Sequence, residues 1–133
     1  MSAGLDPEER VRFRNLLSEI GFGKLVILST HIVSDVEAIA TEIAIMSEGS
    51  LIAIAAPEQL LRDTEGKVWE MVIPSHEFER LRGRIRISSA VRRPDGVHTR
   101  VVGPENPGYG ASPVEPTLED AFLFRMSTAR VAA

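Results

Sequence analysis

The chain has 133 residues, 44% of them hydrophobic and 26% charged, which is the balance of a folded protein with room for one ordinary domain or two small ones. It has no cysteine, so disulfides and thiolate metal sites are excluded, and its formal net charge of -4 disfavours nucleic acid as a partner of the whole chain. Its longest apolar runs, such as Leu51 to Ala56, fall well short of the ~20 residues needed to cross a bilayer, no signal peptide opens it, and His31, His76 and His98 lie too far apart for a metal motif.

The first element in chain order is a helix with a well-marked start. Asp6 stands as N-cap, Pro7 at the first helical position and Glu9 where a capping-box residue reaches back. Phe13, Leu16, Leu17 and Ile20 recur on one helical face, and Gly21 and Gly23 end the pattern. The short apolar run Leu25 to Ser29 then reads as a strand covered on both faces in a parallel α/β sheet. A short helix carrying Val36, Ile39, Ala40 and Ile43 is expected after it.

"IAIMSEGSLIAIA" holds two β-rich runs and predicts a hairpin turning at Glu48 and Gly49. Pro57 opens another helix, with Leu60 and Leu61 as its buried residues and Gly66 as its stop. From Lys67 the pattern changes. "KVWEMVI" alternates as a strand, "SHEFERL" reads as a helix capped by Ser75, and "RIRISSAVRR" and "VHTRVV" read as strands joined at Pro94, Asp95 and Gly96. A Gly/Pro-rich loop follows from Gly103 to Pro116, and Thr117 caps a last helix with Leu118, Ala121, Phe122 and Met126. The expected fold is α/β over residues 1–66, then a small α+β unit of β-α-β-β-α order over residues 67–133, with its helices on one sheet face. Arg80, Arg82, Arg84, Arg86, Arg92 and Arg93 crowd one region of that unit, either as a solvated strand face or as a basic stripe toward phosphates or an acidic partner.

Three ordered segments carry a resemblance. "SAGLDPEER", then "VILSTH", then "VEAIATEIAIMSEGSLIAIAAPEQLL" resemble, from about Ser2 to Asp63, the C-terminal part of the ATP-binding subunits of ABC transporters. "AGLDP" resembles the D-loop and "STH" the H-loop of that family. Residues 67 onward, and "EPTLEDAFLF" above all, resemble the small C-terminal extension of bacterial exporter-type ABC ATPases.

The resemblance implies a partial P-loop NTPase sheet in residues 1–66. It implies that His31 is the switch histidine contacting the γ-phosphate, and that Gly4, Leu5 and Asp6 lie at the nucleotide site and the interface between two ATPase subunits. A side chain leaving a parallel strand at its C-terminal edge faces ligands in such sheets, and an imidazole there can orient an attacking water. Without the upstream segments, a histidine after an apolar strand reads as a turn or cap residue.

Several family motifs are absent from the sequence. No G-x-x-x-x-G-K-[ST] occurs; Gly23-Lys24 and Gly66-Lys67 lack the glycine spacing and the hydroxyl, and LSGGQ is missing too. The Walker B carboxylates would lie before Ser2. The resemblance therefore implies ATP and magnesium as cofactors of the full-length parent, with neither expected to bind this chain tightly and no hydrolysis by the chain alone. Implied partners are the remainder of the ATPase domain, a second ATP-binding subunit and a membrane-spanning permease, at the cytoplasmic face of the membrane; nucleic acid is not among them. A rival expectation is a non-catalytic dimerisation or regulatory module. Apolar surface left without its neighbours predicts self-association or docking to another chain.

Overall fold

In the computed structural model, the described residues are 6–20, 23, 25–30, 33–37 and 39–132. The element order is α1 (Pro7–Ile20), α2 (Val33–Glu37), β1 (Ile43–Ser47), β2 (Ser50–Ala55), α3 (Pro57–Thr64), β3 (Val68–Ile73), α4 (Ser75–Leu81), β4 (Ile87–Arg93), β5 (Gly96–Val102), β6 (Ser112–Pro113) and α5 (Leu118–Ala132). The strands form a two-stranded sheet of β1 and β2 and a four-stranded sheet in the order β4-β5-β3-β6. Strand pairing in both sheets is antiparallel throughout the described residues.

The expected hairpin forms where the turn chemistry places it. Glu48 and Gly49 both adopt positive φ, 50° and 77°, the geometry of a two-residue turn that follows strand twist. Inward residues of the hairpin meet α3 and α5 in one apolar cluster of Ile45, Leu60, Leu118 and Ala121, flanked by Val36, Ile52 and Met126. The opposite hairpin face, Ala44 and Met46 paired across to Ile54 and Leu51, is exposed.

Four expectations are corrected. The helix expected to carry Val36, Ile39, Ala40 and Ile43 ends at Glu37, with Ile39 and Ala40 outside it and Ile43 as the first residue of β1. The run Leu25 to Ser29 is not a strand: residues 25–30 have no regular structure, and Leu25 and Ile27 are 87% and 84% exposed. A strand exists only by hydrogen bonding to a neighbour, and no described strand lies beside it, so apolar content alone leaves it irregular. Ser75 is not the cap of α4; Pro74 occupies that position, without a side-chain cap bond, and Ser75 is the first helical residue.

The two helices of the second half also do not share a sheet face. Phe78 of α4 packs on Met71, Ile73, Val97 and Val101. Arg100 alternates with Thr99 and Val101 and so points to the other face, where it meets the start of α5. With helices on both faces, β5 is buried along most of its length, including Val97, Thr99, Val101 and Val102. The helix α5 thus touches two layers, contributing Leu118 and Ala121 to the hairpin cluster while its first turn lies on the four-stranded sheet. Among the described residues, no helix is long and apolar enough to cross a membrane.

Candidate functional site

Asp6 is the one proposed site residue that the structure describes. It sits immediately before α1, whose first residue is Pro7. The Glu9 amide donates to Asp6 Oδ1 at 2.8 Å, and the Asp6 amide donates to Glu9 Oε2 at 3.4 Å. Two amides that a helix start leaves without intrahelical acceptors are satisfied reciprocally. The carboxylates of Asp6, Glu8 and Glu9 also lie at the positive end of the helix dipole. Asp6 is exposed, as are most residues of α1, which buries none of its side chains fully. A surface depression on its flank is lined by Glu9, Arg12, Phe13 and Leu16.

Gly4, Leu5 and His31 lie outside the described residues. The two other histidines have ordinary surroundings. His76 is 3.9 Å from Glu77 with its side chain 82% exposed, and His98 Nε2 is 2.8 Å from Asp95 Oδ1 in the β4–β5 turn. That contact with His98 is the main cause holding the Asp95 carboxyl below its usual range. Among the described residues no group of three His, Cys, Asp or Glu side chains could hold a metal ion.

The most connected polar group among the described residues lies elsewhere. Asp120, in the first turn of α5, is fully buried. Its Oδ2 accepts from Arg100 Nε at 2.8 Å, from the Thr117 amide at 2.8 Å and from the Thr117 hydroxyl at 3.0 Å, and its Oδ1 accepts from the Ser88 hydroxyl at 2.5 Å. The Asp120 amide donates back to Thr117 Oγ1 at 3.3 Å, completing a capping box. Arg100 also reaches Glu70 at 2.9 Å and donates to the Glu115 carbonyl. Burial would raise the Asp120 carboxyl, but the bonds from Ser88, the Thr117 amide, Arg100 and the Thr117 hydroxyl outweigh it and hold the group below its ordinary value.

This constellation ties β4, β5 and α5 together. The sequence pattern marks the Thr117 cap but not Asp120 with its partners Arg100 and Ser88. The available signals were Thr117-x-x-Asp120 as a capping box and an arginine interrupting the apolar strand "VHTRVV".

A third set of contacts fastens α5 to α3 and to the turn that follows it. Arg125 pairs with Asp63, and Lys67 Nζ lies 5.0 Å from the centre of the Phe124 ring.

No protein-family model matches the chain. Its curated relatives are ABC transporter ATP-binding proteins, and the chain matches a part of such a protein. It is 30% identical over 134 residues, 92% of its own length, to the Nod factor export ATP-binding protein I of Burkholderia pseudomallei, of which the match covers 43%. It is 32% identical over 76 residues to the energy-coupling factor transporter ATP-binding protein EcfA2 of Staphylococcus aureus, covering 27% of that protein. A further relative, an uncharacterized ABC transporter ATP-binding protein of a Nostoc species, is 38% identical over 60 residues. The chain therefore spans less than half the length of these relatives.

Proposed function

We propose that the chain is the C-terminal portion of an ABC transporter ATP-binding subunit, and that the complete subunit couples ATP binding and hydrolysis to transport, in the export direction. The observation that carries this reading is the match over 92% of the chain to an export ATP-binding protein, a length that extends into both residues 1–66 and residues 67–133. Residues 1–66 then belong to the ATPase domain and residues 67–133 to an extension of it. Asp6, with Gly4 and Leu5, is the D-loop at the interface with a second ATP-binding subunit, and His31 contacts the γ-phosphate.

The fold supports this assignment. Leu25, Val26 and Ile27, together with the outer hairpin face of Met46, Leu51 and Ile54, are exposed apolar surface, which calls for covering protein. On this reading the remainder of the ATPase domain covers it, supplies the phosphate-binding loop and magnesium ligands that the sequence lacks, and docks to a membrane-spanning permease at the cytoplasmic face.

The test is complementation. Joined to, or mixed with, the N-terminal half of an ABC ATP-binding subunit that carries the phosphate loop, signature and acid pair, the chain should restore magnesium-dependent ATP hydrolysis. His31→Ala should abolish it. Hydrolysis that does not appear in the joined protein, or that is indifferent to His31→Ala, overturns the assignment.

A further inference from the structure

We propose that the β4 edge of the four-stranded sheet is a binding site for an acidic, extended segment of a partner protein, which adds to the sheet as a fifth strand. Two independent observations converge there. The first is an edge that is free among the described residues: β4 is the terminal strand in the order β4-β5-β3-β6, seven residues long, and Ser89 to Arg93 are all exposed. The opposite edge is closed by the two-residue β6, which contains Pro113. Arg93 and Gly96 flank a two-residue turn. In such a hairpin the pair beside the turn is hydrogen bonded and the pairs alternate. Ala90 and Arg92 therefore direct their N–H and C=O groups away from β5, as a template for another strand.

The second observation is charge. Arg80, Arg82, Arg84, Arg86, Arg92 and Arg93 all fall within residues 80–93, a stretch with no acidic residue, in a chain whose formal net charge is -4. Glu79 partly offsets Arg82 and Arg92, each at 3.5 Å. Arg80, Arg84 and Arg86 have no ion pair among the described residues.

Of these arginines Arg92 and Arg93 lie on β4 itself and Arg86 immediately before it, and they oppose pairing of the edge with a second copy of itself, because like charges would face each other across the new ladder. The same arginines attract the carboxylates of an incoming strand: Arg93 and Arg86 are exposed, while Arg92 already lies 3.5 Å from Glu79 and over the Phe78 ring. Val91, 46% exposed, offers that strand a small apolar contact. Anionic lipid would use the charge but not the outward backbone groups, so the open edge favours a peptide.

The test uses the whole chain and a seven-residue capped peptide alternating glutamate with valine or threonine. Amide spectra should show shifts confined to β4 and residues 80–86, and hydrogen exchange at Ala90 and Arg92 should slow at least tenfold. Arg84→Glu/Arg86→Glu, both exposed and outside the core, should weaken binding at least tenfold, and a lysine version of the peptide should not bind. Ala90→Pro should abolish binding while its circular dichroism stays unchanged; if that variant unfolds, the double arginine variant still decides. Shifts absent from β4, affinity indifferent to the arginines, or binding to phosphatidylserine vesicles without binding to the peptide would overturn the proposal. So would a dimer paired through β4.

Discussion

Arg100 on β5 and Asp120 in the first turn of α5 meet at 2.8 Å across the face of the sheet opposite α4, and Asp120 is fully buried there. A buried carboxylate is tolerated only when its oxygens are paired and bonded, and both oxygens of Asp120 are. The pair fixes where α5 begins, and through α5 it fixes the apolar cluster beneath the hairpin.

Removing one partner should therefore cost more than an ordinary surface ion pair. Asp120→Ala leaves Arg100 with only Glu70 and the Glu115 carbonyl, and removes the acceptor of the Thr117 amide in the capping box; it should lower unfolding free energy by about 3 kcal/mol. Arg100→Met should cost a similar amount, because it leaves Asp120 buried without its cation. The double variant should cost clearly less than the two single costs combined. Urea unfolding of the four proteins measures all three quantities; a strictly additive cycle would show that the two side chains do not depend on each other.

The same carboxylate gives a pH dependence of known sign. Its folded-state value lies below the ordinary 3.8, so its contribution is present above that value and is lost as pH falls toward and through the lower folded value. The stability gap between the parent and Asp120→Asn should be constant from neutral pH to about pH 5 and should narrow below about pH 4. Asp95 is also lowered, first by its bond to His98, but it is exposed in a turn and its Asn variant should show little gap at any pH. Denaturant midpoints across that range check both statements.

Leu60 is 1% exposed and sits where α3, α5 and the hairpin meet. Leu60→Ala should cost about 3 kcal/mol, within the usual span for a buried leucine. Its neighbour Leu61 is only half-buried and should cost roughly 1 kcal/mol. In hydrogen exchange, Leu60→Ala should loosen the amides of β1 and β2 as well as those of α3. If only α3 loosens, the cluster is not one cooperative unit.

What could be read from the sequence was local. Glu48-Gly49, Pro57 and the Thr117 cap each fix backbone geometry within a few residues, and each forms where the pattern puts it. The failures concern partners. Leu25 to Ser29 has the composition of a buried strand, but a strand is defined by the strand beside it, and that information is not within the run. Arg100 and Asp120 are far apart in sequence, and neither residue alone signals the other. For the proposed nucleotide site the limit is different: Asp6 gives a cap geometry that any helix could use, so its resemblance to a D-loop adds a role that local bonding does not require.

Gly96 separates steric from entropic effects of glycine. Its φ is +136°, and a Cβ there would meet the Ile73 carbonyl oxygen at 2.8 Å and Val72 Cγ1 at 3.0 Å. Gly96→Ala should therefore destabilise by about 2 kcal/mol, from a strained backbone and a contact with main chain that cannot swing aside. Gly83, after α4, has open space within 4 Å of where a Cβ would stand, and its φ is not positive. Gly83→Ala should be neutral or stabilise by about 0.5 kcal/mol through the unfolded chain. Thermal melts of the pair give the comparison directly.

Asp6 can be made to distinguish its two roles. Asparagine caps helices about as well as aspartate, whereas alanine forfeits about 1 kcal/mol. In the isolated chain, Asp6→Asn should keep the helicity of α1 and Asp6→Ala should reduce it, read by circular dichroism or by exchange of the Glu9 amide that donates to Asp6 at 2.8 Å. In the ATPase rebuilt by joining the chain to an N-terminal half, the proposed interface role needs the charge as well as the cap. Asp6→Asn should then lower ATP hydrolysis at least tenfold with α1 intact. Equal activity of the parent and the Asn variant, with loss only in Asp6→Ala, would reduce Asp6 to a helix cap.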